Sequence, residues 1–131
     1  DMKVTVTLKD LNGNVVTGQK AALTTTSVTV PNATLKAGSD WTDNDDGTYT
    51  ATYTAAAVST GNQASLKLSG WSDSRTSEKY VITAGSAVQA TSGIKTDAAT
   101  YVAGADMKVT VTLKDLNGNV VTGQKAALTT T

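Results

Sequence analysis

The chain has 131 residues, of which 39% are hydrophobic and 17% charged, and its eleven basic and eleven acidic side chains cancel to a formal net charge of zero. A neutral chain offers no basic footprint for nucleic acid and no cationic face for a membrane, so neither is an expected partner. Cysteine and histidine are both missing, which excludes disulfides, thiolate metal sites and any nucleophile activated by an imidazole.

Phe is absent and much of the apolar share is Ala, so the large core side chains must come from Val, Leu, Ile, four Tyr and two Trp. Short strands that commit alternate residues to an interior suit such a supply. Met2 to Lys9 alternates in this way, with Val4, Val6 and Leu8 on one face and Lys3, Thr5, Thr7 and Lys9 on the other; this pattern predicts a half-buried strand. Asp10-Leu11-Asn12-Gly13-Asn14 supplies the positive-φ positions of a tight reversal. A returning strand is predicted from Val15 to Thr25, with Gly18 as a bulge or bend and Ala21 and Leu23 pointing inward.

Ser27 to Leu35 is a further extended segment, placed at an edge or a strand end by Pro31, which removes a ladder donor. Lys36 to Gly47 is polar and turn-rich, with Trp41 its single large apolar group. Thr48 to Ala55 alternates again, with Tyr49, Ala51, Tyr53 and Ala55 sharing one face. A loop around Ser59-Thr60-Gly61-Asn62 is predicted to lead into a strand from Gln63 to Gly70, on which Ala64, Leu66 and Leu68 alternate before Trp71 closes it. A charged loop, Ser72 to Lys79, a short strand, Tyr80 to Thr83, and a junction at Ala84-Gly85-Ser86 complete this part. Ala87 to Ala105, with Ile94, Tyr101 and Val102, then reads as an extended leading segment. No helical periodicity is sustained, and no apolar run approaches the length of a membrane span.

Asp106 to Thr131 then spells Asp1 to Thr26 again without a change, at a spacing of 105 residues, the distance from Asp1 to Asp106. Equivalent strands inside one domain share apolar positions but not every surface side chain, so the identity predicts a window cut from an array of near-identical modules. Counted from Ser86 around the period, seven strands at spacings of about 8–12 residues predict an all-β, immunoglobulin-like sandwich. On this frame residues 1–85 form a module lacking its first strand. Residues 86–131 supply strands A, B and C of the next module, 106–131 being identical to 1–26. Two identical hairpins then compete for one body. Either the tail of one molecule completes the sandwich of the next, head to tail, or a monomer uses its own Asp1 to Thr26.

The stretches VTVPNATLKAGSDWTDNDDGTYTATYTA and ASLKLSGW resemble the bacterial immunoglobulin-like modules of the intimin and invasin adhesins, most closely the invasin-type module. The resemblance spans essentially the whole period and includes both Trp positions, the VPNA segment and the DGTY turn. It implies a non-enzymatic stalk or spacer repeat of a tandem-repeat inverse autotransporter on the surface of a Gram-negative bacterium. Such a protein is anchored in the outer membrane by a part outside this chain and presents a distal adhesive tip. The implied partners are neighbouring identical modules, and a host receptor or other bacterial cells reached through other parts of the protein. The alternative is a ligand-binding module for a carbohydrate or receptor.

Candidate sites are few. The acidic loop Asp40-Trp41-Thr42-Asp43-Asn44-Asp45-Asp46-Gly47 clusters carboxylates before a glycine, as a Ca²⁺ site requires. Its register places Thr42 where an oxygen ligand belongs in the helix-loop-helix pattern and provides no closing Glu, so a solvated hairpin is the expected reading. Trp41 and Trp71 suit either sugar stacking or capping of a small core, and core capping is expected. Lys3 and Lys67 are the residues best placed for a Lys–Asn cross-link, yet both fall on outward positions. No catalytic, cofactor-binding or metal residue is assigned, and no cofactor is expected.

Overall fold

The computed structural model of the protein describes residues 1–129; Thr130 and Thr131, which end the repeated stretch, lie outside the described residues. The chain divides into two units, Asp1–Ile82 and a second that begins at Thr83. All the described elements are β-strands or single 3₁₀ turns.

The first unit is built around β5 (Thr48–Ala55), whose bounds coincide with the predicted strand. Its alternation places Tyr49, Ala51 and Tyr53 in the core, because successive side chains of a strand point to opposite faces. One edge of β5 pairs antiparallel with β1 (Met2–Thr7), in the register Val4↔Ala51 and Val6↔Tyr49. The other edge carries β3 (Ala33–Leu35) at one end and β4 (Thr42–Asp43) at the other. A second sheet takes β2 (Val28–Thr29), β7 (Ser65–Leu66) and β8 (Arg75–Thr76) in that order. A third pair, β6 (Ser59–Asn62) with β9 (Tyr80–Ile82), has an irregular register between Ser59 and Asn62.

Val6, Leu8, Leu23, Val28, Val30, Trp41, Tyr49, Ala51 and Tyr53 form one buried cluster between these layers, the immunoglobulin-like sandwich that the spacing implies. Each large side chain so buried stabilises by roughly 1.5–3 kcal/mol. Trp41 meets Tyr53 edge to face at 6.4 Å between ring centroids, a favoured aromatic geometry. Tyr49 is 0% exposed; its hydroxyl donates to the Val16 carbonyl at 2.8 Å and accepts from the Gln19 N–H at 3.1 Å.

Several predicted segments take another form. The returning strand Val15 to Thr25 is reduced to an isolated bridge, Lys9↔Val15, followed by a 3₁₀ turn at Lys20–Ala22. Gly18, at φ 75°, turns the chain out of the ladder, so that Leu23 is buried but Ala21 is exposed. The extended segment Ser27 to Leu35 breaks between β2 and β3 at Pro31 and Asn32, where Asn32 adopts φ 58°. The predicted loop at Ser59 to Asn62 is strand β6, held in part by Asn62, whose side-chain amide donates to the Ser59 hydroxyl at 2.8 Å and the Tyr80 carbonyl at 3.3 Å. The predicted strand Gln63 to Gly70 is regular only over β7, and the charged loop Ser72 to Lys79 contains β8.

In the second unit β10 (Gly93–Thr96) pairs antiparallel with β11 (Val109–Thr112) in the register Ile94↔Val111. The repeated residues adopt the same local backbone as the first copy. Lys114↔Val120 repeats the Lys9↔Val15 bridge, and Lys125–Ala127 repeats the 3₁₀ turn. Gln124, at φ −102° and ψ 17°, matches Gln19 at −105° and 16°.

Candidate functional site

The acidic loop is assembled by turn geometry. Asp43, on β4, accepts the Gly18 N–H at 2.6 Å with one carboxylate oxygen and the Asp45 N–H at 2.9 Å with the other. Asp46 accepts both the Thr48 N–H at 2.9 Å and the Thr48 hydroxyl at 2.5 Å. Asp40 forms an exposed ion pair with Lys20 at 3.0 Å and accepts the Trp41 N–H at 2.8 Å. Asp45 and Gly47 take φ values of 59° and 88°, as a tight reversal demands. The carboxylates therefore face separate partners and do not converge, and among the described residues no group of three or more acidic side chains is placed to hold a metal ion.

Hydrogen bonds from Thr48 hold the Asp46 carboxyl below the usual carboxylate range, and Asn14 does the same for Asp10. Lys20, by hydrogen bond and charge, lowers Asp40. A carboxylate whose folded-state value is depressed contributes stability that is complete above the unfolded value, about 3.9, and is lost as pH falls through the folded one. The melting temperature is therefore expected to be level from about pH 7 to about pH 5 and to decline below about pH 4. Asp46→Asn is expected to shallow that decline; an acid limb unchanged by this substitution, measured by circular dichroism, would contradict the role given to Asp46.

The two tryptophans part company. Trp41 is 4% exposed inside the core, whereas Trp71 is 37% exposed, which corrects the expectation that both cap it. The reason is local: the Trp71 N–H closes a turn onto the Leu68 carbonyl at 3.1 Å beyond the short strand β7, and the ring lies over the rim of a groove. That groove, of about 510 Å³, runs between β1 on one side and β2 and β7 on the other. Its floor is apolar, with Val4, Val6, Val28, Val30, Ala64 and Leu66, and its rim carries Lys3, Arg75, Glu78 and Lys79 beside Trp71 and Tyr80. Tyr80 donates its hydroxyl to the Pro31 carbonyl at 2.7 Å, and burial raises its pKa. Lys3 and Lys67 are both exposed, whereas a Lys–Asn cross-link requires a buried Lys beside an acid.

Sequence reasoning missed this groove. Its signal was the alternation of β1 together with that of Ala64, Leu66 and Leu68, two apolar faces with too few large side chains to close against each other. The arrangement offers an apolar slot and an open strand edge at β1. It brings together no nucleophile with a base and no convergent acids.

The family described as "Invasin, domain 3" matches residues 1–85. The "Inverse autotransporter adhesin YeeJ" of Escherichia coli (strain K12) is 35% identical over 119 residues, which is 91% of this chain and 5% of that protein. The chain thus spans a small part of the length of the relative it matches. The structure of InvD from Yersinia pseudotuberculosis aligns with a TM-score of 0.53 at 18% identity, covering 91% of this chain and 37% of that one, a likeness of fold.

Proposed function

The chain belongs to the invasin domain 3 family, and from that membership we propose that it is a structural repeat of a bacterial cell-surface adhesin, a spacer in an extracellular stalk that holds a distal adhesive tip away from the cell. The observation that carries this reading is the 26-residue identity at a spacing of 105 residues, with the same hairpin geometry in both copies. A stack of like modules gives length in proportion to number. On this reading residues 1–85 are a module completed elsewhere in the array by a leading strand, and residues 86–131 open the next module. Outer-membrane anchoring, and contact with a host receptor or other bacterial cells, belong to other parts of the protein.

Chains of one to four 105-residue periods test this. Their maximum dimension in small-angle scattering is expected to rise by a constant increment per period, and a dimension that saturates would rule the spacer out. A single period is also expected to keep its melting temperature on addition of millimolar Ca²⁺. A site occupied at 100 times its Kd would stabilise by about 2.7 kcal/mol, which a thermal scan resolves.

A second reading, a ligand-binding module, is favoured by the exposure of Trp71 on the groove rim. A glycan array separates the two: a spacer gives no signal, whereas a lectin-like module gives one that Trp71→Ala removes.

A further inference from the structure

The segment that leads from the first unit into the second is bonded almost from its start. β9 ends at Ile82, and the second unit begins at Thr83. Gly85 donates its N–H to a carboxylate oxygen of Asp115 at 2.9 Å, across 30 residues of chain. Asp115 opens the turn Asp115-Leu116-Asn117-Gly118-Asn119 that follows β11.

The two oxygens of this carboxylate have separate tasks. Oδ1 accepts the backbone N–H groups of Asn117 at 3.0 Å and Asn119 at 2.8 Å, which closes the turn on itself. Oδ2 accepts the side-chain amide of Asn119 at 3.0 Å and the Gly85 N–H. Asp115 is 4% exposed, and among the described residues it forms no ion pair. Four N–H groups therefore take the place of a cation, since an ionised group removed from water must be paired or hydrogen-bonded. The Asn119 side chain and the Gly85 N–H hold its carboxyl below the usual carboxylate range. The group is thus charged at neutral pH, the form whose hydrogen bonds are strongest.

Beyond Gly85 the chain is fastened again. The Val88 N–H donates to the Lys114 carbonyl at 2.9 Å, and the Thr91 hydroxyl donates to the Asp115 carbonyl at 2.7 Å. Two residues, Thr83 and Ala84, separate Ile82 from Gly85, whereas five separate Ile82 from Val88. The span available from Ile82 is at most about 11 Å to Gly85 and about 22 Å to Val88.

We propose that Asp115 is a linker clamp: by holding Gly85 with Oδ2 it makes the hinge ahead of its module two residues long instead of five. The proposal rests on the repeat reading above and adds to it the residue that limits bending at each joint. A longer free linker samples a wider range of end-to-end vectors, and a spacer keeps its tip away from the cell only while its joints resist folding back. The contact needs the N–H at position 85 and not the absence of a side chain there. A Cβ at Gly85 would lie 3.7 Å from the Asp115 Cβ and 3.8 Å from Oδ2, both ordinary contacts.

Nitrogen-15 relaxation of the full chain reads the hinge residue by residue. The Gly85 amide is expected to have an order parameter near that of rigid backbone, about 0.85, and Asp115→Asn is expected to lower it below about 0.6. The substitution is selective, because its one oxygen can keep the bonds of Oδ1 while its NH₂ meets the Gly85 N–H donor against donor. Unchanged order at Val88 and Asn119 certifies that the second unit of this variant stays folded. Gly85→Pro removes the same bond from the linker side and is expected to free Ser86 by a similar margin, whereas Gly85→Ala keeps the N–H and is expected to leave Ser86 ordered. It decides the matter if Asp115→Asn loses order throughout the second unit. Asp10→Asn makes the same change in the first unit's turn and is expected to leave Gly85 rigid. A Gly85 already mobile in the unaltered chain, a Gly85 still rigid in a folded Asp115→Asn chain, or a Ser86 as ordered in Gly85→Pro as before would each overturn the proposal. A mobile Gly85 is compatible with length that rises with module number, and a dimension that saturates is compatible with a rigid Gly85, so the two readings fail separately.

Discussion

Tyr49→Ala is expected to abolish the folded sandwich of the first unit. The ring has no solvent exposure, and removing a buried aromatic side chain of this size costs about 3–5 kcal/mol in transfer and cavity terms. Its hydroxyl also bonds the Gln19 N–H and the Val16 carbonyl, and the loss of each of these part-buried hydrogen bonds adds about 0.5–1.5 kcal/mol. Small domains have about 5–15 kcal/mol in all, so the loss approaches the whole. Tyr49→Phe keeps the ring and removes both hydrogen bonds, and is expected to cost about 1–3 kcal/mol. Urea titration followed by fluorescence of the buried Trp41 distinguishes the two: alanine gives an unfolded baseline in buffer, phenylalanine a displaced midpoint. A Tyr49→Ala chain with an intact transition would contradict the packing described.

Gly47→Ala is expected to have the next largest effect, about 2–6 kcal/mol from backbone strain and overpacking together. Gly47 adopts φ 88°, and a Cβ there would lie 2.5 Å from the Val15 Cβ and 2.9 Å from its Cγ1. Because the nearer atom is a Cβ, Val15→Ala does not relieve the clash. Gly13 provides the comparison, since its φ of 84° is similar but a Cβ added there meets nothing within 4 Å. Gly13→Ala is expected to cost the conformational term alone, about 1–2 kcal/mol. Equal losses at the two glycines in chemical denaturation would mean that Val15 does not pack on the acidic loop. The result also bears on the loop's purpose, since a turn fixed by Gly47 against β1 and the bridge at Val15 is part of the scaffold.

Strands with strict alternation and large side chains were legible from residues alone. Thr48 to Ala55 emerged with its true bounds, and Met2 to Lys9 overshot the regular strand by two residues because the chain bends where Leu8 shares its groups between Gly47 and Val16. Strands β6 and β8 were not legible, for they are short and polar and exist through partners distant in sequence. The turn at Lys20–Ala22 hid behind β-compatible residues, because Gly18 alone redirects the chain. In the candidate site, the turn chemistry of Asp45 to Gly47 could be read directly, but the bond from Gly18 to Asp43 spans 25 residues and could not. Trp71 was misplaced because burial statistics for tryptophan take no account of a core left open along one edge. That opening is itself the point at which identical sequences acquire different surroundings, and identity of sequence conceals it.

The central claim is that a stretch spelled twice folds the same way twice but is covered on opposite edges. Val6 and Leu8 direct their N–H and C=O groups toward β5, where the Leu8 N–H donates to the Gly47 carbonyl at 2.9 Å. In the second unit the Asp97 N–H donates to the carbonyl of Lys108, the counterpart of Lys3, at 3.0 Å, and alternate residues of a strand serve opposite edges. Residue-resolved amide hydrogen exchange by NMR in dilute solution tests it most directly at Val6 and Val111. The account predicts a slow amide at Val6, bonded toward Tyr49, and a fast one at Val111, with Thr5 fast and Thr110 slow because their groups face the other way. Equal protection of Val6 and Val111, or the same ranking of Thr5 and Thr110 as of the valines, would contradict it.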